Sequence, residues 1–198
     1  MKNAALTAAI LCGLTVMPVL AAAQPPQSPA KPADKTATMQ HEQSHGTLTA
    51  TDRSFAHEAA IGGMAEVELG KLASDKATSA DVKQFGQRMV DDHSKANDDL
   101  KEWAQKANVT LPTQLDAKHK ATRDRLAKLS GAAFDRAYMH DMVQDHEKDV
   151  AAFRKASRSA HDADLKAFAS KTLPTLEEHL QQAKKVQGEV VGTTGRGR

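Results

Sequence analysis

The stretch Val82–Trp103 decides the fold class, and it reads VKQFGQRMVDDHSKANDDLKEW. Its apolar residues recur at steps of three, four or seven positions, namely Val82, Phe85, Met89, Ala96, Leu100 and Trp103. This spacing is typical of the apolar stripe of an amphipathic helix. His93 completes the stripe between Met89 and Ala96, so an imidazole stands where a leucine would be expected.

Two later segments repeat this pattern. The sequence MVQDH of Met142–His146 nearly copies MVDDH of Met89–His93, and LEEH of Leu176–His179 is a looser third version. In each segment, a carboxylate directly precedes a histidine on the predicted core face of a helix. Strand-like alternation of apolar and polar residues is absent from the sequence. The pattern therefore predicts an all-α fold, with four long helices and one short connecting helix.

Capping and helix-breaking residues set the predicted bounds of these helices. The helices are expected from a cap at Thr51 or Asp52 to about Ala77, from a cap at Ser79 to about Ala107, from about Leu115 to Leu129, from about Ala132 to Ser157, and onward from a cap at Asp162. The pair Ser130-Gly131 is expected to stop the short connecting helix. Pro174 predicts either a kink or the start of a fresh helix, about one turn before His179.

The two ends of the chain have compositions unlike that of a folded domain. Residues 1–23 contain a lysine, an apolar run and three alanines, which is typical of a secretory signal peptide cleaved near Ala23. Residues 24–50 are rich in proline and, like residues 191–198, are expected to be disordered. The helical domain is therefore predicted at 51–190. The single cysteine, Cys12, lies in the signal peptide, so neither a disulfide nor a thiolate ligand is expected.

Charge and hydropathy limit the partners. The formal net charge is +2, acids and bases alternate, and no basic stripe with interleaved aromatic residues occurs, so nucleic-acid binding is not expected. No second apolar run follows the signal, so the mature chain is predicted to lack a transmembrane span. Export would place the protein in the periplasm or at the outer membrane, where another envelope protein is a possible partner. The sequence does not indicate an oligomeric state.

Four candidate ligands are predicted to lie at one height in the bundle. Glu66 stands in the gap of a small-residue stripe on the first helix, and a glutamate is rarely buried without a partner. The two hairpin turns are expected near Thr78 and His161. At a rise of 1.5 Å per residue, the candidates lie about 18 to 27 Å from these turns, close to the middle of the bundle. The candidates are Glu66, His93, His146 and His179.

One carboxylate and three imidazoles in a bundle core favour a metal site that holds a single transition-metal ion, Fe, Mn, Zn or Cu. The preceding carboxylates are expected to orient histidines of adjacent helices, and they are Asp92, Asp145 and Glu178. A second interpretation is a structural or interaction module without a cofactor, whose core histidines form a pH-sensitive polar network. Serine or cysteine nucleophiles in a strand-turn-helix context are absent from the sequence, so no catalytic residue is predicted.

Several motifs together resemble an exported bacterial family known as domain of unknown function 4142. The motifs are GGMAEVELGKLA at 62–73, FGQRMVDDHSKAN at 85–97, LPT at 111–113, GAAFDRAY at 131–138, DHE at 145–147 and LPTLEEHL at 173–180. The resemblance covers nearly all of residues 52–187. It implies a ferritin-like four-helix bundle of two helix hairpins joined by a long crossover, with functional positions at the same glutamate and three histidines.

The resemblance also bears on the kind of activity. Di-iron enzymes of the ferritin-like type carry Glu-x-x-His on two helices, but Val90, Val143 and Leu176 stand three residues before the three histidines. Di-iron oxidoreductase chemistry is therefore the least supported of three hypotheses. The favoured one is a metal- or small-ligand-binding protein that serves metal handling or envelope stress tolerance and is not an enzyme.

Overall fold

The computed structural model describes residues 48–192. The predicted signal peptide, all but the last three residues of the predicted linker, and residues 193–198 lie outside the described part, as do Cys12, His41 and His45. Between residues 48 and 192, no helix is long and apolar enough to cross a membrane.

Five helices make up the described part, and it contains no β-strand, so the all-α prediction is confirmed. The helices are α1 (Ala50–Lys76), α2 (Ala80–Lys106), α3 (Ala117–Ala127), α4 (Gly131–Ser159) and α5 (Ala163–Gly192). The caps predicted at Ser79 and Asp162 are present, since the Ser79 hydroxyl accepts from the Val82 amide and the Asp162 carboxylate accepts from the Leu165 amide.

Two predicted helix boundaries are wrong. α1 begins earlier, because Thr49 forms a reciprocal capping box with Asp52 over distances of 3.0 and 3.1 Å. Ser130 and Gly131 do not stop the connecting helix, which ends at Ala127; Ser130 is the N-cap of α4. Gly131 has φ 57°, a left-handed conformation that glycine adopts without strain, and it turns the chain into α4.

α5 is one continuous helix with Pro174 inside it. The expectation that Pro174 starts a fresh helix is therefore wrong, while the expected kink stays a prediction. α5 also includes residues 191 and 192, which the sequence assigned to the disordered tail.

Two hairpins form the helical bundle, with α1 packed along α2 and α4 packed along α5. Asp135, near the start of α4, accepts hydrogen bonds from the amides of Thr78 and Ser79 at 3.0 and 2.9 Å. α4 therefore begins beside the α1–α2 turn. At the other end, the Trp103 indole donates to Asp162 at 2.8 Å, so the end of α2 meets the α4–α5 turn.

These contacts determine the directions of the four long helices. α1 runs antiparallel to its neighbours α2 and α4, and α5 runs antiparallel to its neighbours α4 and α2. The chain leaves α2 at one end of the bundle and enters α4 at the other. The connection that contains α3 therefore spans the length of the bundle.

Apolar residues form two clusters along the bundle axis. One cluster includes Leu69, Phe85 and Met142, and the other includes Leu100 and Leu165. The predicted small face of α1 allows a close approach to α2, since a Cβ atom on Gly70 would lie 2.6 Å from the Gly86 carbonyl oxygen.

The substitution Gly70→Ala tests this close approach. The added methyl would overlap backbone, and helix α1 or α2 would have to shift, so we expect a loss of about 1–3 kcal/mol in the free energy of unfolding. Gly62→Ala on the same helix is the matched control, because nothing lies within 4 Å of its added Cβ. The control is expected to gain up to about 1 kcal/mol from helix propensity. Urea denaturation of both variants would measure the difference, and equal stabilities would contradict the packing described.

Candidate metal centre

Four ionisable side chains, one from each long helix, meet in the middle of the bundle. They are Glu66 of α1, His93 of α2, His146 of α4 and His179 of α5, and none is more than 5% exposed. The centroids of the three imidazole rings lie 5.3 to 5.7 Å apart. Buried ionisable groups are strongly destabilising unless each has a partner, so their hydrogen bonds define the site.

His93 is held by Glu66. Its Nδ1 atom lies 2.8 Å from Glu66 Oε2, a distance at which the ring donates a hydrogen bond to the carboxylate. The Nε2 atom of His93 is buried and has no hydrogen-bond partner within the described part of the chain. Its lone pair is therefore free on the inner side of the ring.

His146 is held by its own helix. Its Nδ1 atom lies 2.9 Å from the Met142 carbonyl oxygen, which can only accept, so Nδ1 carries the hydrogen. The same Nδ1 atom lies 3.4 Å from Glu66 Oε1. The Nε2 atom of His146 therefore keeps its lone pair.

His179 is held by a carboxylate on a neighbouring helix. Its Nε2 atom lies 2.9 Å from Asp92 Oδ2, and the Arg88 guanidinium contacts the same oxygen at 3.2 Å. Burial opposes ionisation of Asp92, but the hydrogen bonds from His179 and Arg88 lower its pKa overall. Asp92 is thus an anion that accepts from Nε2, and the lone pair of His179 lies on Nδ1.

The three free lone pairs converge. One nitrogen from each ring lies within 4.8 Å of the other two. His146 Nε2 and His179 Nδ1 are 3.4 Å apart, and both are acceptors. Two facing lone pairs repel each other unless a proton or a cation lies between them. An arrangement in which each imidazole is oriented by an acceptor on its far nitrogen is the usual surrounding of histidine metal ligands.

The charge states suit a metal ion. Burial lowers the pKa of His93 to about 4 and that of His179 to about 3, and it also lowers the pKa of His146. All three rings are therefore neutral near pH 7, which is the form that binds metals. Burial raises the pKa of Glu66 to about 7.

Asp149 is a member of the site that the sequence analysis missed. It lies one turn after His146 on α4, and it lines the same cavities as Glu66. Burial and the neighbouring charge of Glu66 raise its pKa well above the usual value for an aspartate. Asp149 could have been identified from the sequence by its spacing of three residues from His146, which places both side chains on one helix face.

The three orienting carboxylates expected from the sequence have different surroundings. Asp92 reaches His179 of α5, as described above. Asp145 pairs with Lys148 at 3.2 Å, and Glu178 pairs with Arg88 at 2.7 Å. Neither of these two hydrogen bonds to a histidine of residues 48–192. Arg88, which the sequence analysis did not consider, supports Asp92 from one turn earlier on α2.

Solved structures with the same fold are known. A DUF305 fragment from Deinococcus radiodurans is 11% identical, with a TM-score of 0.64, and the match covers 72% of this chain and 98% of that chain. A DUF305 protein from Streptomyces coelicolor is 14% identical, with a TM-score of 0.61 and coverages of 71% and 92%. CopM in the Cu(II)-bound form is 17% identical, with a TM-score of 0.60 and coverages of 70% and 96%.

The sequence comparisons identify the family. No curated protein matches the chain significantly. The DUF4142 family profile matches residues 37–186, which is most of the chain and nearly all of the helical bundle. The chain therefore belongs to the DUF4142 family, which is defined by a domain of unknown function.

Proposed function

We propose that this protein binds one transition-metal ion through His93 Nε2, His146 Nε2 and His179 Nδ1. The observation that carries the proposal is the 3.4 Å approach of two acceptor nitrogens in a buried site, with the third imidazole nearby. A cation at the meeting point of the three lone pairs removes their repulsion and gives His93 Nε2 the partner that it lacks.

Glu66 has a different part in this proposal from the one expected from the sequence. Its Oε2 atom accepts from His93, so it orients that ring and supplies negative charge close to the ion. Asp92 likewise orients His179 and supplies negative charge. The Met142 carbonyl orients His146. Glu66 is therefore an orienting residue rather than a fourth ligand.

Imidazole ligands suit Zn, Cu, Fe and Ni better than Mn. CopM, which shares the fold, is known in Cu(II)-bound and Ag-bound forms. Its low identity means that the likeness extends to the fold alone, but its metal-bound forms support testing copper first. We favour metal binding and handling over turnover, because none of the three rings is more than 5% exposed, and such burial limits the access of a substrate to the ion.

Two wider features belong to the same proposal. The hairpins run in the directions of a ferritin-like bundle, with one long crossover along the bundle. The signal-like residues 1–23 point to export. Together these features favour a periplasmic or outer-membrane-associated metal-binding protein with a role in envelope stress tolerance.

His93→Ala tests the proposed site directly. The parent protein, purified without chelator or histidine tag, is expected to hold close to one equivalent of metal, and the variant is expected to lose it because one of three ligands is gone. His140→Ala is the matched control, since His140 lies exposed on α4. Elemental analysis by mass spectrometry would give the metal content of each protein. A folded parent that cannot be loaded with copper or zinc would contradict the proposal.

The orienting role of Asp92 has its own test. Asp92→Asn weakens the acceptor for His179, and we expect the metal affinity to fall about 10–100-fold. Glu178→Gln is a close control, because Glu178 contacts the same arginine but no histidine. Competition with a chromogenic chelator would measure both affinities. Equal losses in the two variants would show that only the arginine pairing matters.

The metal-free protein is expected to lose stability in acid. The pKa of His93 and His179 is lower in the folded chain than the unfolded value of 6.5, so the unfolded chain binds more protons and stability falls as pH drops from about 6.5 towards 4. Glu66, whose pKa is raised to about 7, contributes stability that is complete below pH 4.5 and is lost as pH rises through 7.

Between pH 4.5 and 6.5, the stability that Glu66 gains as pH falls partly offsets the stability that the histidines lose. We therefore expect a steeper acid loss in Glu66→Gln than in the parent. Thermal melts of both proteins between pH 7 and pH 4, with and without metal, would measure this loss of stability. A melting temperature of the metal-free parent that stays constant over this range would contradict neutral, buried imidazoles.

A further inference from the structure

A cleft outside the three-histidine centre leads to the carboxyl groups of Glu66 and Asp149. It has a volume of about 300 Å³ and lies between α1, α4 and the beginning of α3. A smaller cavity of about 20 Å³, large enough for about one water molecule, is lined by the same two residues and by His93. Glu66 and Asp149 therefore stand between the cleft and the imidazoles.

Most charged groups in the cleft already have a partner. Asp116 is paired with His119 at 2.7 Å, and Asp145 with Lys148 at 3.2 Å. Glu58, nearer to solvent, accepts from the Ser54 hydroxyl at 3.2 Å. Within residues 48–192, by contrast, neither Glu66 nor Asp149 forms an ion pair with a lysine or an arginine.

Glu66 adds a second observation. The residue is 3% exposed, and Oε2 is taken by His93. Its Oε1 atom is buried and forms no hydrogen bond of normal geometry in the described chain, with His146 Nδ1 at 3.4 Å. A buried carboxylate oxygen without a well-formed hydrogen bond is destabilising, and a second carboxylate beside it adds repulsion when both groups are ionised. A cation between the two groups would remove both unfavourable terms.

We propose that a divalent cation with oxygen ligands binds at the floor of this cleft, between the carboxyl groups of Glu66 and Asp149, with water completing its coordination. Carboxylate oxygens and water are the ligands of hard cations such as Mg²⁺ and Mn²⁺. The site differs in donor atoms from the three imidazoles, and it does not require that they bind metal. Because this site lies at the floor of the cleft, an ion that enters through the cleft passes the site before it reaches the imidazoles.

Mn²⁺ is the probe, because its free form is counted directly by electron paramagnetic resonance. Titration of the full chain at pH 7.5 is expected to show one site whose affinity falls at least tenfold in Asp149→Asn. Glu147→Gln, an exposed neighbour on α4 that pairs with Lys184, is the matched control and is expected to stay within twofold of the parent. An Asp149→Asn variant that binds Mn²⁺ like the parent would overturn the proposal.

A second variant separates this site from the three-histidine centre. His179→Asn removes an imidazole that does not line the cleft, so it is expected to lose copper or zinc but to keep Mn²⁺ affinity within about twofold. Loss of Mn²⁺ in His179→Asn to the same extent as in Asp149→Asn would place the ion at the imidazoles and overturn the second site. Retention of copper in His179→Asn would instead count against the three-histidine proposal alone.

Nuclear magnetic resonance keeps the test independent of variant folding. Mn²⁺ bound to the parent is expected to broaden the methyl signals of Ala59 and Ala152, which line the cleft, more than that of Ala104 near the end of α2. Stronger broadening at Ala104 would place the ion elsewhere and overturn the proposal.

Discussion

His146 Nε2 and His179 Nδ1 lie 3.4 Å apart at the centre of the bundle, and neither has a hydrogen to donate to the other. This contact follows from the partners on the far side of each ring, the Met142 carbonyl and the Asp92 carboxylate. A pair of leucines at these positions would avoid the unfavourable burial of polar groups, as apolar replacements of buried charged groups often do. The polar centre therefore adds no evident stability, and ligand binding explains its geometry better than packing does.

The same centre depends on the register of the two hairpins. Each hairpin turn is fixed by an aspartate or an indole from the other hairpin, through Asp135 at one end and the Trp103–Asp162 pair at the other. A shift of one helical turn, about 5.4 Å, would separate rings whose centroids are now 5.3 to 5.7 Å apart. The polar contacts at the ends of the bundle thus position the nitrogens in its middle.

The sequence predicts this centre well where one-helix periodicity and helix length suffice. His93, His146 and His179 replace apolar residues in three stripes, and their distances from the turns place them at one height. Asp149 shares a helix face with His146, but its position beside Glu66 of α1 depends on how the two helices pack, which the spacing within one helix does not show. Asp145 and Glu178 precede their histidines just as Asp92 does, but Lys148 and Arg88 pair with them, and such choices between partners are not visible in spacing.

Charge is distributed unequally around the three imidazoles. On the α2–α5 side, the Asp92 anion is balanced by Arg88, so that side adds little net charge. On the α1–α4 side, neither Glu66 nor Asp149 pairs with a lysine or an arginine of residues 48–192, and burial raises the pKa of both. A divalent ion at the imidazoles would favour their ionised forms and release a proton towards the cleft. Metal affinity would therefore rise with pH even above the range in which the histidines themselves titrate. The last group to lose its proton would be a carboxyl group that lies beside the metal and is not one of its ligands.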